Sequence, residues 1–241
     1  MSLEDAILYR RSVRLFDENK EIDPKIVEKC LQWATLAPNS SNMQLWEFYH
    51  ITSPEILKEL AVCCFGQEAA TSAKEMVVFV TRQDLHRKRE KEMMKLETIN
   101  VLKNSPEQKH ESRTKRWQLY YGKVMPLLYT RFFGLFGMVR KLITNVVGIF
   151  RPTMYEVSEG DKRVVVHKTC ALAAQNFMLA MADEKYDTCP MEGFDSRRVK
   201  KILNLPFGAE INMIVSCGIR KEGGVWGDRM RVPFREVYHR L

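Results

Sequence analysis

The hydrophobic pattern of residues 1–81 predicts helices and short strands in alternation. An N-cap serine with an acidic residue three positions later, and a proline at a first helical position, are typical of helix starts. Aromatic and branched residues in LWEFYHIT and EMVVFVT predict strands, the second of them buried. In chain order the predicted elements are a helix capped by Ser2, a helix from Asp23-Pro24 to near Pro38, a strand at 45–52, a helix capped by Ser53 and a strand at 75–81.

The last third of the chain returns to the same kind of pattern. Residues 164–184 form a long apolar run that predicts a buried helix, and the segment CPMEGF at 189–194 predicts a turn. A short helix at 195–203, a core strand at 210–220 and an irregular basic tail at 221–241 follow. Helices that alternate with short strands favour an α/β or α+β sandwich over an all-helical bundle.

Charge sets the central segment, about 82–160, apart from the rest. The net charge of the chain is +8, and residues 82–152 alone carry 16 Lys/Arg and 6 Asp/Glu. The remainder carries 22 basic and 24 acidic residues, so the basic character belongs to this one segment. Its charged first part predicts a solvent-facing helix. No recognised nucleic-acid-binding motif is present, so no nucleic-acid partner is expected.

The second half of this segment, Val124–Phe150, is mostly apolar. Arg131, Arg140 and Lys141 interrupt it, so no stretch reaches the length of a transmembrane helix. At about 100° per residue, 135–149 predicts an amphipathic helix with a wide apolar face. Three interpretations are open, namely a helix packed on its own dimer, a peripheral contact with a membrane surface, and a flexible lid.

Composition describes an ordinary globular chain. With 241 residues, 45% of them hydrophobic, it can bury a sizeable core, and its length suits one large domain or two small ones, of which we expect the single domain over 1–241. The six cysteines form no C-x-x-C pair, which is typical of reduced core thiols in a cytosolic protein. The N-terminus, MSLEDAILYR, lacks the basic start and apolar core of a secretory signal, so a cytoplasmic location is expected.

The stretch YRRSVRLF at 9–16 places Arg10, Arg11 and Arg14 around Ser12. Arginine side chains bind phosphate oxygens in pairs and a serine hydroxyl adds a donor, so this cluster could hold a phosphate. The alternative is a solvated helix end, where arginines meet the helix dipole. The chain has no G-x-G-x-x-G or G-x-x-x-x-G-K-[ST] loop, so any phosphate must be held by side chains.

Three further segments carry polar groups suited to a ligand. APNSSNMQLW at 37–46 offers amides and hydroxyls that could read the edge of a heterocycle, or could form an ordinary loop. The turn at 189–194 exposes backbone N–H groups that could stabilise a developing negative charge, or could be a plain turn. In the tail, Arg229 and Arg231 lie two residues apart, so in an extended chain both could reach one anion.

Together these segments resemble the nitroreductase family of flavoproteins. The family's opening signature, Arg-x-Ser-x-(Arg/Lys)-x-Phe, is matched by Arg10, Ser12, Arg14 and Phe16. Its second signature is matched by Ala37, Pro38, Ser40, Asn42, Gln44 and Trp46, with Asn39 and Leu45 as departures. CPMEGFD, RMR and REVYH are similar to its later signatures and follow in the same order. The resemblance covers 1–81 and about 164–241.

The resemblance implies a fold, a cofactor and an assembly. The fold is α+β, a three-layer α/β/α arrangement with a central, mostly antiparallel sheet, in an intertwined homodimer. FMN would bind non-covalently at the dimer interface. NADH or NADPH would pass a hydride to flavin N5 in a ping-pong reaction that then reduces an aromatic or quinone acceptor, without a catalytic side chain or a metal. Reductive dehalogenation and flavin fragmentation use the same cradle in relatives and are the alternatives.

The resemblance also implies a role for each matched residue. The phosphate and part of the ring edge would be held by Arg10, Arg11, Ser12 and Arg14, with Arg229 and Arg231 joining at the phosphate. The flavin of the partner subunit would be reached by Pro38, Ser40, Asn42 and Gln44, and its edge would lie near Gln67. The segment over the ring would be Pro190, Met191, Glu192 and Gly193, with the backbone near Glu192 at N5.

Two features depart from the family. Lys185 follows the long helix where relatives commonly have glycine. If that position requires a positive φ, the lysine costs roughly 1 kcal/mol. The central segment is longer than the family norm, and we expect it to determine which acceptor is used.

Overall fold

The computed structural model describes residues 1–241 and contains one four-stranded sheet. Every strand pairing is antiparallel, in the order β1-β2-β4-β3, so β3 lies at an edge and β2 and β4 are central. The strands are β1 (Trp46–Ile51), β2 (Glu75–Thr81), β3 (Asp187–Met191) and β4 (Glu210–Gly218).

Ten α-helices accompany the sheet, and the predicted caps are present. The Asp5 N–H donates to Ser2 Oγ at 3.1 Å, and the Lys25 N–H donates to Asp23 Oδ1 at 2.9 Å. The helices are α1 (Leu3–Tyr9), α2 (Pro24–Ala34), α3 (Pro54–Cys63), α4 (Glu68–Thr71), α5 (His86–Asn104), α6 (His110–Leu119), α7 (Met125–Tyr129), α8 (Leu135–Phe150), α9 (Glu159–Asp183) and α10 (Ser196–Ile202).

The sheet is buried on both faces, which makes the molecule three layers thick. Every residue of β2 is buried. Met76, Val78 and Val80 face a core formed with α3 and α10, whereas Val77 and Phe79 face a core formed with α2 and α9. Successive strand residues point to opposite faces, so one continuous apolar run serves both cores. The expected α/β/α architecture is confirmed.

Two predicted boundaries are wrong. The long helix α9 begins at Glu159 rather than 164, because Ser158 and Asp161 form a reciprocal capping box ahead of the apolar run. The predicted turn at 189–194 is strand as far as Met191, where β3 pairs with β4. Pro190 fits there because an edge strand leaves one side of its hydrogen-bond ladder unpaired.

Helix α9 is also the one helix whose length and composition would let it cross a bilayer. It packs between α2 and the sheet, and 44% of its most apolar window is buried in protein. This is the pattern of a core helix.

All six cysteines are buried and unpaired, as expected for core thiols. Burial raises the pKa of Cys30 and of Cys170 to about 12, so both thiols stay neutral at physiological pH.

The central segment is helical, as predicted, and packs on the body of the protein through aromatic residues. Trp117 stacks on Tyr121 at 5.6 Å between ring centroids, and Tyr120 meets Tyr121 edge-on at 5.2 Å. Tyr120–Val124 forms a π-helical turn between α6 and α7. Tyr121 and Tyr129 belong to a third apolar cluster, which joins α5 and α7 to the loop before β1.

A buried carboxyl in α5 should make stability depend on pH. Glu90 is 4% exposed, its Oε1 has no hydrogen-bond partner, and burial raises its pKa to about 7. The native state binds the Glu90 proton more tightly than the unfolded chain does. The free energy of unfolding therefore falls as the pH rises from about 4.5 through 7. We expect Glu90→Gln to stabilise the protein by about 1–3 kcal/mol at pH 8 and by little at pH 5.

Urea denaturation at the two pH values measures this difference, with the exposed Glu107→Gln as the control. An equal effect of Glu90→Gln at both pH values would contradict the shifted titration.

The turn after α9 gives a second stability prediction. Lys185 has φ +64°, and the Tyr186 N–H donates to the Met181 carbonyl at 2.8 Å, which is the Schellman arrangement. The position therefore does require a positive φ, which is the case in which the lysine is expected to cost free energy. We expect Lys185→Gly to raise the free energy of unfolding by roughly 0.5–1 kcal/mol, because glycine adopts this conformation without steric cost.

Thermal or urea unfolding measures the gain, and Lys185→Ala is the matched control. Alanine removes the ammonium group but keeps the Cβ. A gain of the same size in Lys185→Ala would locate the effect in the charge and not in the backbone.

Candidate functional site

Five arginines line a cavity of about 290 Å³ beside the sheet edge. We call it the arginine pocket. It contains both arginine groups singled out in the sequence, although more than 200 residues separate them. Its lining residues are Arg10, Arg11, Ser12, Arg14, Val225, Trp226, Asp228, Arg229, Met230 and Arg231.

Backbone pairing places the first arginine segment along the edge of the sheet. Ser12 pairs with Thr188 in β3. The Arg14 N–H donates to the Gly224 carbonyl at 2.7 Å, which brings the tail alongside. A Cβ added to Gly224 would lie 2.3 Å from the Leu15 carbonyl oxygen, so this crossing requires glycine.

Arg229 closes one side of the pocket at the end of α1. Its Nη2 donates to the carbonyls of Leu8 at 3.0 Å and Arg10 at 2.6 Å. A cation at this end of a helix interacts favourably with the helix dipole. Arg10 is itself the C-cap of α1, so the helix-end interpretation holds for its position, and Arg229 reaches the same helix end from the far end of the chain. The side chains of Arg10 and Arg14 make no such carbonyl contacts.

The pocket holds positive charge without matching negative charge. None of its five arginines takes part in a salt bridge, and its one acidic residue, Asp228, is unpaired too. Burial lowers the pKa of Arg10, and the charges of Arg229 and Arg231 lower it further. An anion with several oxygens would relieve this repulsion and accept the unused guanidinium N–H groups.

Trp226 forms an apolar wall of the pocket. The guanidinium carbon of Arg14 lies 5.6 Å from the centroid of its ring, within reach of a cation–π interaction. This contact holds Arg14 in place without neutralising its charge.

An ion pair between Asp187 and Arg220 lies next to the arginine segment that lines the pocket. Asp187, 2% exposed, accepts from the Arg220 backbone N–H at 2.7 Å and from Arg220 Nε at 2.8 Å. Arg220 Nη2 also donates to the Tyr9 carbonyl at 3.1 Å, next to Arg10. The pair therefore fixes the start of β3 and the end of β4 against the arginine segment.

The second group of predicted site residues lies just past the end of β3. Met191 is buried, whereas Glu192 and Gly193 are exposed. Gln67, at the start of α4, donates through Nε2 to the Gly193 carbonyl at 2.9 Å and to the Cys64 carbonyl at 3.0 Å. The structure thus brings Gln67 to the same turn as Pro190–Gly193.

The third group, the loop at 38–44, does not line the arginine pocket of its own chain. Tyrosines of the central segment hold it instead. Tyr121 OH donates to the Ser41 carbonyl at 3.0 Å, and Tyr129 OH donates to Ser40 Oγ at 3.2 Å. Ser41, Asn42 and Gln44 have φ of +56°, +50° and +47°, left-handed values that are costly for non-glycine residues.

Sequence reasoning missed three supporting residues. Trp226, Asp187 and Arg220 belong to no motif, and the Asp187–Arg220 contact joins positions 33 apart. The tyrosine support of the 38–44 loop was also missed, because its partners lie about 80 residues away.

Comparison with known proteins assigns this arrangement to a family. A sequence model of the nitroreductase family matches residues 7–219, a span that includes the whole sheet and the central segment. The chain belongs to the nitroreductase family. Enzymes of this family use FMN and NAD(P)H, and the chain is an FMN-dependent oxidoreductase. The match continues through 82–160, where no motif in the sequence shows the relationship.

Individual relatives are distant in sequence but similar along their whole length. Protein DrgA of Synechocystis sp. is 25% identical over 98% of this chain and 92% of its own. A nitroreductase family protein from Streptococcus pneumoniae TIGR4 has a TM-score of 0.70 at 22% identity, with both chains fully covered. A protein from Exiguobacterium sibiricum, solved in complex with FMN, has a TM-score of 0.70 at 19% identity over 100% and 98% of the two chains.

The residues of the arginine pocket fit the phosphate of FMN. A phosphate monoester carries up to two negative charges and several acceptor oxygens, and the pocket offers unpaired guanidinium groups with the Ser12 hydroxyl. These side chains would provide the donors that a glycine loop provides in other phosphate sites.

Proposed function

We propose that the chain forms a homodimer that oxidises NADH or NADPH and reduces electron-poor acceptors such as nitroaromatics or quinones. The observation that carries the proposal is the pocket of five arginines without an ion-pair partner, in a chain of the nitroreductase family. FMN, when bound, supplies the hydride-transfer chemistry. The side chains and backbone supply binding, orientation and charge.

In this proposal the arginine pocket binds the FMN phosphate. Arg10 and Arg14 have no other side-chain hydrogen bond, so their guanidinium groups are available, and Ser12 adds a hydroxyl. Arg11 already donates to the Gly227 carbonyl at 2.8 Å, and Arg229 to the end of α1. These two contribute mainly charge and hold the walls in position.

The remaining groups orient the ring. Pro190, Met191, Glu192 and Gly193 lie at the end of the edge strand, held by Gln67. A positive pocket favours the extra negative charge that a reduced cofactor carries, and backbone N–H groups near Glu192 can donate to it. No side chain is required as a nucleophile or a general base.

The loop with Pro38, Ser40, Asn42 and Gln44 completes the site of the partner subunit. Two observations support this role. The loop does not line the pocket of its own chain, and its left-handed backbone is held by tyrosines of the central segment. Strain maintained by such supports is typical of positions that bind a ligand.

The purified protein should be yellow, and NADH or NADPH should bleach its flavin absorbance under anaerobic conditions. Addition of a nitroaromatic or a quinone should restore the oxidised spectrum. A colourless protein that takes up no added FMN would contradict the proposal. Turnover of halogenated aromatics, or loss of the flavin itself, with no turnover of quinones would indicate one of the alternative reactions.

A further inference from the structure

Helix α8 has its apolar side turned outward. Its inward positions are Gly137, Arg140, Thr144 and Gly148. Its large apolar side chains are exposed, and Phe132 and Phe133 before the helix extend the same surface. We call these residues the apolar face: Phe132, Phe133, Leu135, Phe136, Met138, Val139, Leu142, Ile143, Val146, Ile149 and Phe150.

The inward side is built to hold the helix in this orientation. Arg140, 4% exposed, donates through Nε to the Val157 carbonyl at 2.7 Å and through Nη1 to the Leu127 carbonyl at 2.8 Å. A Cβ on Gly137 would lie 2.8 Å from the Glu159 backbone nitrogen, so the helix approaches α9 as closely as glycine allows. The outward orientation is therefore fixed by the carbonyl contacts of Arg140 and by the close approach at Gly137.

An exposed surface made of eleven large apolar side chains needs a partner other than water. Phe133 is 98% exposed, Phe150 81% and Ile149 77%. Contiguous exposed apolar patches beyond a few hundred Å² are rare on monomeric soluble proteins and mark protein or membrane contacts.

Charge identifies the partner. Residues 112–155 contain no Asp or Glu, and Lys141 and Arg151 are exposed on and beside α8. Of the other basic residues in this range, Arg140 is buried and Arg131 pairs with Glu210, and the next acidic residue along the chain is Glu156. A two-fold contact between two copies of this face would bring the same positive groups together. A bilayer of anionic phospholipid instead offers hydrocarbon for the apolar side chains and negative headgroups for the rim.

We propose that the apolar face is a docking surface for an anionic phospholipid membrane, on which α8 lies in the plane of the interface. The helix is 16 residues, about 24 Å, long. It meets α9 at the first turn of α9. Tyr9, next to Arg10 of the arginine pocket, donates to the Lys185 carbonyl just past the other end of α9, about 36 Å away along a helix of 25 residues. Within one chain, lipid contact therefore leaves the arginine pocket open.

The test is co-sedimentation of the full-length, FMN-loaded protein with vesicles of phosphatidylcholine mixed with phosphatidylglycerol. Binding is expected, with weaker binding at high salt and to phosphatidylcholine alone. The triple change Phe133→Ser, Leu142→Ser and Phe150→Ser should lower partitioning at least about tenfold. Phe207→Ser, at a fully exposed phenylalanine outside the face, is the matched control and should change it less than about twofold.

A second pair of variants tests the charge. Lys141→Glu with Arg151→Glu should lower binding to the anionic vesicles about 25-fold or more, since each basic residue near the surface contributes about fivefold. The exposed Lys201→Glu should have little effect. This pair decides the question if the triple variant fails to fold, as judged by circular dichroism and FMN content.

Absence of binding to the anionic vesicles would overturn the proposal, as would equal losses in Phe207→Ser and the triple variant. A third outcome would also overturn it. If the wild type does not bind vesicles and the triple variant forms a smaller assembly in sedimentation velocity, the apolar face is a contact between copies of the chain.

Discussion

Replacing Arg14 by Glu is expected to lower the affinity for FMN by about 100-fold or more while the apo-protein stays as stable as the wild type. Arg14 has no ion-pair partner and lies among four other arginines, so its charge serves no carboxylate within the chain. A glutamate there would repel a phosphate directly. It would also relieve repulsion among the remaining arginines, and so it should not weaken the apo fold.

FMN titration followed by flavin fluorescence measures the affinity, and urea unfolding of the apo-protein measures the stability. Apo-protein is necessary because bound FMN stabilises the native state by mass action. Arg197→Glu, an exposed position in α10, is the matched control and should leave both quantities nearly unchanged. Unchanged FMN affinity in Arg14→Glu would show that the FMN phosphate does not bind in the arginine pocket.

Two inactive variants are expected to restore one site when they are combined in a mixed dimer. Arg14→Glu disables the arginine pocket of its own chain. Asn42→Asp disables the 38–44 loop, because a carboxylate cannot donate as the amide can, and aspartate tolerates the φ of +50° at this position. If the loop serves the partner's pocket, the mixed dimer pairs one intact pocket with one intact loop.

Mixed dimers can be isolated with a different affinity tag on each chain and analysed at an FMN concentration that fills only wild-type sites. We expect about one FMN per mixed dimer, against about two per wild-type dimer and almost none in either variant dimer. A mixed dimer that stays empty would show that pocket and loop act within one chain. A chain that remains monomeric with full flavin content would contradict the shared site altogether.

The local elements could be predicted because their signals lie within a few residues of each other. The Ser2–Asp5 cap, the Asp23-Pro24 helix start and the five consecutive apolar residues of β2 each predict their structure from neighbouring residues alone. The missed start of α9 is a boundary error, since its cap at Ser158 lies six positions before the apolar run that begins at Val164. The end of β3 at Met191 was missed because pairing with β4, not local turn chemistry, decides it.

The central segment shows the same limit at larger scale. Its amphipathic helix at 135–149 is confirmed as α8, Leu135–Phe150. Periodicity gives the existence of an apolar face but not the direction in which that face points. Arg140 decides the direction, since its side chain donates hydrogen bonds to the carbonyls of Leu127 and Val157, which only the folded chain brings together.

By itself the sequence determined the alternating elements, the resemblance to a family and the residue types of the site, and the antiparallel α+β class followed from that resemblance. Tertiary structure decided which of these residues share a cavity: Arg10–Arg14 meet Arg229 and Arg231, while the 38–44 loop stands apart. The physical reason is range. Caps, turns and periodicity act over a few residues, whereas a pocket forms from strand pairing and close crossings such as Arg14 on Gly224, between segments far apart in the chain.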